Sequence, residues 1–358
     1  MNTTDEIALR ELCARVPGPN AAASAAARAR LDRLTKPPGS LGALEPLIVR
    51  LAAITGQVRP ELNQLAVLVA AADHGVAAER VSAYPQSSTA QMVLNFLRGG
   101  AAINALAASA AARVLVIDAG VAAELPDHPQ LRRVTLGRGT RNLLREPAMT
   151  RAEAASALMA GARVVAAEAA AGLDLLALGE MGIGNSTAAA CLTSAFTGVA
   201  PELTTGRGTG LDDARLLHKR TVVAGALRRA RPRPSDPLGV LAELGGFEIG
   251  VLAGAAIAAA VRRIPVVLDG YITTSAALVA HALAPELRHS LIAAHRSAEP
   301  GHRVALEFLG LQPLLALDMR LGEGSGAALA LPMIGAAARL MRDMATFEQA
   351  GVDDKLAR

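Results

Sequence analysis

The feature that most constrains this chain is a unit that recurs six times: a short apolar run, a loop of glycine or charged residues, then an alanine-rich stretch. Residues 65–72 lead into Asp73-His74-Gly75, 114–117 into Asp118-Ala119-Gly120, and 175–178 into Gly179-Glu180-Met181-Gly182. Further on, 265–268 lead into Asp269-Gly270, 291–294 into His295-Arg296-Ser297, and 314–317 into Asp318. Continuous apolar runs of this length, rather than alternating ones, suit strands buried on both faces, and their alternation with helices implies parallel crossovers. The expectation is an α/β fold with a doubly wound, mainly parallel six-stranded sheet flanked by helices. In such sheets ligands bind beyond the carboxyl ends of the strands, where these glycines and acidic residues fall.

Both ends of the chain depart from the pattern. Residues 21–33, 44–55 and 327–345 read as helices with no strand between them. They are expected to form a small helical domain from residues 1–60 plus 327–358, beside a large Rossmann-like catalytic domain over 61–326. Aromatic residues make up only 2% of the chain and tryptophan is absent, so the core must be filled with Ala, Leu and Val, and stacking platforms for nucleic-acid bases are disfavoured. The 33 arginines and 3 lysines are spread along the chain, and the net charge is only +4. No nucleic-acid partner is therefore expected. Apolar stretches such as 249–261 are shorter than the roughly 18 residues a membrane span needs. Asp5, Glu6, Arg10 and Glu11 do not make a secretory leader. The two cysteines, Cys13 and Cys191, stand alone, so neither a disulfide framework nor a metal cluster is expected and a cytoplasmic location follows.

Three loops carry candidate chemistry. Gly179-Glu180-Met181-Gly182-Ile183-Gly184-Asn185-Ser186-Thr187 follows a strand and opens a helix, which turns free N–H groups and the helix dipole toward one spot. A tight turn is the plainer reading, but the helix start favours an anion. Asn185 stands where a nucleoside-triphosphate loop needs lysine, and Thr187 stands where a dinucleotide fingerprint needs glycine or alanine, so a monophosphate fits best. The second loop, Gly206-Arg207-Gly208-Thr209-Gly210, precedes a helix that carries Lys219; Asp212 is expected to cap that helix. In the third, Leu321-Gly322-Glu323-Gly324-Ser325-Gly326, the flanking glycines leave the Glu323 carboxylate unshielded; Glu323 reads either as a base or as a first-turn helix residue. The seven histidines show no metal-ligand spacing, so no metal is expected, and no Gly-x-Ser-x-Gly elbow follows a strand. His295 reads as orienting its loop rather than as a base.

Taken in order, these segments closely resemble the nicotinate-nucleotide:dimethylbenzimidazole phosphoribosyltransferase family. The resemblance extends to Leu34-Thr35-Lys36-Pro37-Pro38-Gly39-Ser40, Ala72-Asp73-His74-Gly75, Leu244-Gly245-Gly246-Phe247-Glu248, Leu268-Asp269-Gly270-Tyr271 and Ala294-His295-Arg296-Ser297-Ala298-Glu299. It implies transfer of the 5-phosphoribosyl group of nicotinate mononucleotide to 5,6-dimethylbenzimidazole, giving α-ribazole 5′-phosphate and nicotinate, in the lower-ligand branch of cobalamin synthesis. By the same resemblance Glu323 is the base and Glu180 stabilises positive charge on the ribose. Gly182, Gly184, Asn185, Ser186, Lys219 and Ser297 would surround the ribose phosphate, and Ser82, Tyr84 and Gln91 would line the benzimidazole site. Asp269 and Asp73 are expected to be structural carboxylates. The family pattern further implies no cofactor, a homodimer, and no membrane attachment.

Overall fold

The computed structural model describes residues 4–134 and 136–353. Its strands are β1 (Leu65–Ala72), β2 (Arg113–Gly120), β3 (Leu131–Arg133), β4 (Leu175–Met181), β5 (Val266–Leu268) and β6 (Leu291–Ala293). They form one sheet in the order β3-β2-β1-β4-β5-β6, and every pairing is parallel. The chain reverses its direction of winding between β1 and β4, so the crevice for a ligand opens at the carboxyl ends of those two strands. Seven of the eight residues of β1 are buried, as an uninterrupted apolar run requires of a central strand.

The helices before β4 are α1 (Thr4–Ala14), α2 (Ala21–Arg33), α3 (Leu44–Thr55), α4 (Ser88–Leu97), α5 (Ala102–Ser109) and α6 (Arg151–Ala170). Those after it are α7 (Asn185–Thr197), α8 (Pro201–Thr204), α9 (Asp213–Ala230), α10 (Pro237–Leu244), α11 (Phe247–Val261), α12 (Tyr271–Leu283), α13 (Pro300–Leu309), α14 (Ser325–Asp343) and α15 (Phe347–Ala350). One face of the sheet buries Leu68, Ala70 and Ile117 against α6, α11 and α12. The other buries Val67, Val69 and Val116 against α2, α3, α4, α5 and α14. The terminal helices α2, α3 and α14 pack on one another and share this second core with the sheet, whereas α1 packs on α6 and α11, across the sheet.

One expected strand is replaced by another. Residues 314–317 form a single bridge, Leu315 to His295, in place of a ladder. Leu317 is 53% exposed there, so this run lacks the double-sided burial that its apolar sequence suggested. The sixth strand is instead β3, whose Leu-Arg-Arg sequence carries two exposed arginines and no apolar run. An edge strand buried on one side needs only its single inward residue, Leu131.

Alanine and glycine let α6 and α11 approach closely at the centre of the first core. A β-carbon added at Gly161 would collide with Val251 O, and one at Gly254 with Leu158 O. Backbone cannot yield as a flexible side chain can. Gly254→Val is therefore expected to lower the urea midpoint by an amount equivalent to about 1–3 kcal/mol or more. Gly335→Ala, on α14 where nothing lies within 4 Å of an added β-carbon, is expected to raise stability by up to about 1 kcal/mol. Equal midpoints for the two variants would refute the close-packing account.

Candidate active site

The loop after β4 is a helix start moulded around neighbouring backbone. Gly184 caps α7 at φ +100°, a conformation that side chains disfavour. A β-carbon at Gly182 would stand 2.5 Å from Ala72 O, so the turn lies directly on the end of β1. Asn185 does not offer its amide to an open anion site; Nδ2 donates to Glu180 Oε2 at 2.5 Å. Ser186 does face a cation: Lys219 Nζ donates to its Oγ at 2.8 Å. Lys219 is fully buried on α9, and burial pushes its pKa down to about 8 while the charge of Glu299 holds it up. A buried cation with one hydroxyl partner, next to the first turn of a helix, is a suitable seat for a phosphate. Asp212 caps α9 as expected, accepting from Arg215 N at 2.8 Å.

The Gly206–Gly210 segment crosses this seat. A β-carbon at Gly208 would lie 2.9 Å from Ser186 Oγ and 3.0 Å from Lys219 Nζ. Gly208 N donates to Glu299 Oε1 at 2.8 Å, and Gly208 O accepts from Arg320 Nη1 at 2.9 Å. Arg320 belongs to the loop that carries Glu323, so the second and third glycine-rich loops are bonded to each other. Ser297 sits at the edge of this group: its N–H donates to His302 Nδ1 at 3.0 Å and its Oγ accepts from Glu299 N at 3.3 Å.

Glu323 is a non-glycine residue at φ +64°, between Gly322 at +86° and Gly324 at +88°. Three successive left-handed residues need external support, and such strain gathers at functional sites. Asp269, just after β5, supplies that support. Its Oδ1 accepts from Gly326 N at 2.7 Å and Ala327 N at 3.0 Å, and its Oδ2 from Gly324 N at 3.2 Å. His295 packs its ring against Gly326 and places Nε2 3.8 Å from Asp269 Oδ1. Glu323 Oε2 is buried without a hydrogen-bond partner, and burial raises the carboxyl's pKa while the Ile103 N–H at the start of α5 holds it down.

The first and third loops touch. A β-carbon at Gly179 would stand 2.5 Å from Glu323 O, and one at Gly322 would collide with Glu180 Oε1. Glu180, Asp269 and Glu323 thus form one buried acidic group at the switch point. Burial pushes Glu180 up to about 8, assisted by the charges of Asp269, Glu248 and Glu323 and opposed by Asn185. Asp269 is pushed up to about 7 by burial against the pull of its three N–H donors. Such a group is unfavourable when empty and complementary to a bound cation. Among the described residues, no three His, Cys, Asp or Glu side chains are placed to hold a metal ion, and no helix is long and apolar enough to cross a membrane.

The expected base-binding residues lie farther out. Ser82 Oγ is 3.0 Å from Thr209 Oγ1, which also accepts from Ala83 N at 2.9 Å. Ser82 and Tyr84 line an open groove of about 890 Å³ with Arg80, Arg215 and His218. Tyr84 is 59% exposed, and Gln91 is exposed on α4. Thr89 connects this segment to the Gly182–Gly184 turn, its Oγ1 accepting from Ile183 N at 3.1 Å. The sequence placed Glu299, Arg320 and Thr209 within its motifs but offered no role for them, since a partner such as Gly208 lies 91 residues from Glu299.

A carboxyl whose pKa is raised on folding takes up a proton as the chain folds, so its contribution to stability falls as pH rises from the unfolded toward the folded pKa. For Glu180 that window runs from 4.5 to about 8. Glu180→Gln keeps the shape without the charge. It is expected to melt with the wild type at pH 5 and above it at pH 8, by calorimetry of the ligand-free protein. A variant less stable at pH 8 would mean that ionised Glu180 supports the fold.

The phosphoribosyltransferase family model matches residues 16–352. The chain is 53% identical over 348 residues to the nicotinate-nucleotide–dimethylbenzimidazole phosphoribosyltransferase of Roseiflexus sp. strain RS-1, covering 97% of this chain and 99% of that protein. The similarly named protein of Deinococcus radiodurans is 54% identical over 354 residues, covering 97% and 96%. The crystal structure of CobT from Thermus thermophilus superposes with a TM-score of 0.90 at 54% identity, over 93% of this chain and all of that one. With likeness of this extent in both sequence and fold, the chain belongs to the nicotinate-nucleotide–dimethylbenzimidazole phosphoribosyltransferase family.

Proposed function

We propose that this protein transfers the 5-phosphoribosyl group of nicotinate mononucleotide to 5,6-dimethylbenzimidazole, forming α-ribazole 5′-phosphate for the lower ligand of cobalamin. The observation that carries the reading is the buried acidic group of Glu180, Asp269 and Glu323 placed beside the Ser186–Lys219 seat. Nicotinate leaves from a quaternary pyridinium nitrogen. Its ring nitrogen takes the bonding pair and needs no proton, while positive charge builds on the ribose. A bound pyridinium favours the ionised form of Glu180, whose pKa is about 8 without it, and the resulting carboxylate in low dielectric is assigned to stabilise that charge.

Dimethylbenzimidazole attacks the anomeric carbon through its unprotonated nitrogen, from the side opposite the leaving group, which converts the β-nucleotide to the α-riboside. The N–H of its other nitrogen becomes strongly acidic as the new bond forms, and Glu323 receives that proton. Its pKa, raised by burial above that of an ordinary glutamate, makes it the stronger base. The left-handed backbone at Glu323, held by Asp269, keeps the residue outside α14. Gly182, Gly184, Ser186, Lys219 and Ser297 hold the ribose phosphate. Asn185 acts on that site through Glu180, and Ser82, Tyr84 and Gln91 receive the benzimidazole. The residues 1–60 plus 327–358 are assigned to a small unit carried on the catalytic domain of 61–326. The working form is a homodimer in the cytoplasm, needing no cofactor.

Glu323→Gln is expected to bind nicotinate mononucleotide as the wild type does and to lose turnover by about 10² or more. Mass-spectrometric assay of α-ribazole phosphate, with calorimetric titration of the nucleotide, separates the two effects. Unchanged turnover would remove Glu323 from the role of base. No product from the wild-type protein with both substrates would remove the proposed reaction. Because the base must be ionised, kcat is expected to fall as pH drops through a pKa above the ordinary glutamate value of 4.5.

A further inference from the structure

His74 and Glu248, the latter close enough for its charge to act on Glu180, are both fully buried, and His74 Nε2 lies 2.7 Å from Glu248 Oε1. They are 174 residues apart and join the end of β1 to the first turn of α11. Three glycines lie against this one side chain, two of them against its ring. A β-carbon at Gly182 would stand 3.3 Å from its Cδ2, and one at Gly184 would stand 3.4 Å from His74 Cβ. A β-carbon at Gly246 would collide with Cε1 and lie 2.6 Å from Glu248 Oε2. The ring therefore forms the floor of the Gly182-Ile183-Gly184 turn, and Glu248 fixes the ring's rotation. Glu248 is itself favoured at a helix N-terminus.

We infer that the His74–Glu248 pair is a positioning device for the phosphate loop, setting the height of the turn at which the first N–H groups of α7 and Ser186 meet the 5′-phosphate. The inference rests on the assignment of that loop to the phosphate. Neither residue touches substrate; they act through Gly182 and Gly184. The hydrogen bond fixes the ring's orientation, which an apolar plug would not, and it does so although His74 Nδ1 and Glu248 Oε2 are themselves buried without a hydrogen-bond partner. Removing one partner would leave the other polar group buried and unpaired, which costs stability and obscures the effect on the site.

The test therefore replaces both. His74→Leu combined with Glu248→Leu removes the buried charge while keeping apolar volume, and is expected to melt within a few degrees of the wild type. Its KM for nicotinate mononucleotide is expected to rise about tenfold or more, with KM for dimethylbenzimidazole held within about twofold. His74→Gln, which retains a donor near the Nε2 position, is expected to restore the nucleotide KM to within about threefold. If the double variant does not fold, Glu248→Gln, which keeps an acceptor for His74, serves in its place: its nucleotide KM is expected to stay within about threefold of the wild type, and a tenfold rise in the folded variant would overturn the proposal. An unchanged nucleotide KM in a folded double variant, or equal rises for both substrates, would overturn the proposal. Ser186→Ala, assayed alongside, tests the assignment of the loop to the phosphate: an unchanged nucleotide KM there would defeat that assignment, whereas a raised one there with an unchanged one in the double variant would defeat this proposal alone.

Discussion

The carboxylate of Asp269 accepts three backbone N–H groups from the segment 324–327, and the arrangement of the crevice depends on this bond set. Without it nothing obliges Gly322, Glu323 and Gly324 to remain left-handed between the sheet and α14. The bonds run from the end of β5, the strand beside β4, so Glu323 is referenced to the same rigid sheet that presents Glu180. The two groups that the proposed reaction assigns to one substrate thereby share a frame. Burial is the cost of this precision, since it draws Asp269 into a dry site with two other carboxyls and raises the pKa of all three.

That electrostatic tension has a direction. A site that disfavours its own negative charge when empty gains most from a ligand that brings positive charge, and gains further as charge develops on a ribose. The counterpart lies across the Gly206–Gly210 segment, where the hydrogen bond to Ser186 and the charge of Glu299 help to offset the charge of buried Lys219. One end of the crevice thus favours a cation and the other an anion. A pyridinium nucleotide carries both, spaced by one ribose.

Much of the frame was legible in the chain. The apolar runs at β1, β2, β4, β5 and β6 announced buried parallel strands, because a strand covered on both faces cannot alternate. The helices α2 and α3 fall on the residues their periodicity indicated, and α7 begins at Asn185, as the glycines before it implied. The run at 314–317 misled because local hydrophobicity reports a tendency to be buried and not the presence of a partner strand. β3 was invisible for the converse reason: an edge strand needs little apolar sequence. Asn185 shows the same limit within the site, since a residue type suited to phosphate is engaged by Glu180.

The order of secondary elements, the two-sided burial of the strands, the glycine-rich loops at their carboxyl ends and the candidacy of Glu323 were all written in the linear sequence, because each follows from neighbours within a few residues. Tertiary structure decided the contacts between loops: Glu323 backbone against Gly179, Arg320 on Gly208, Lys219 on Ser186, and His74 on Glu248. These pairs are separated by 33 to 174 residues. Their meeting depends on strand order and on the depth of burial, and so do the raised carboxyl pKa values, which no local pattern encodes.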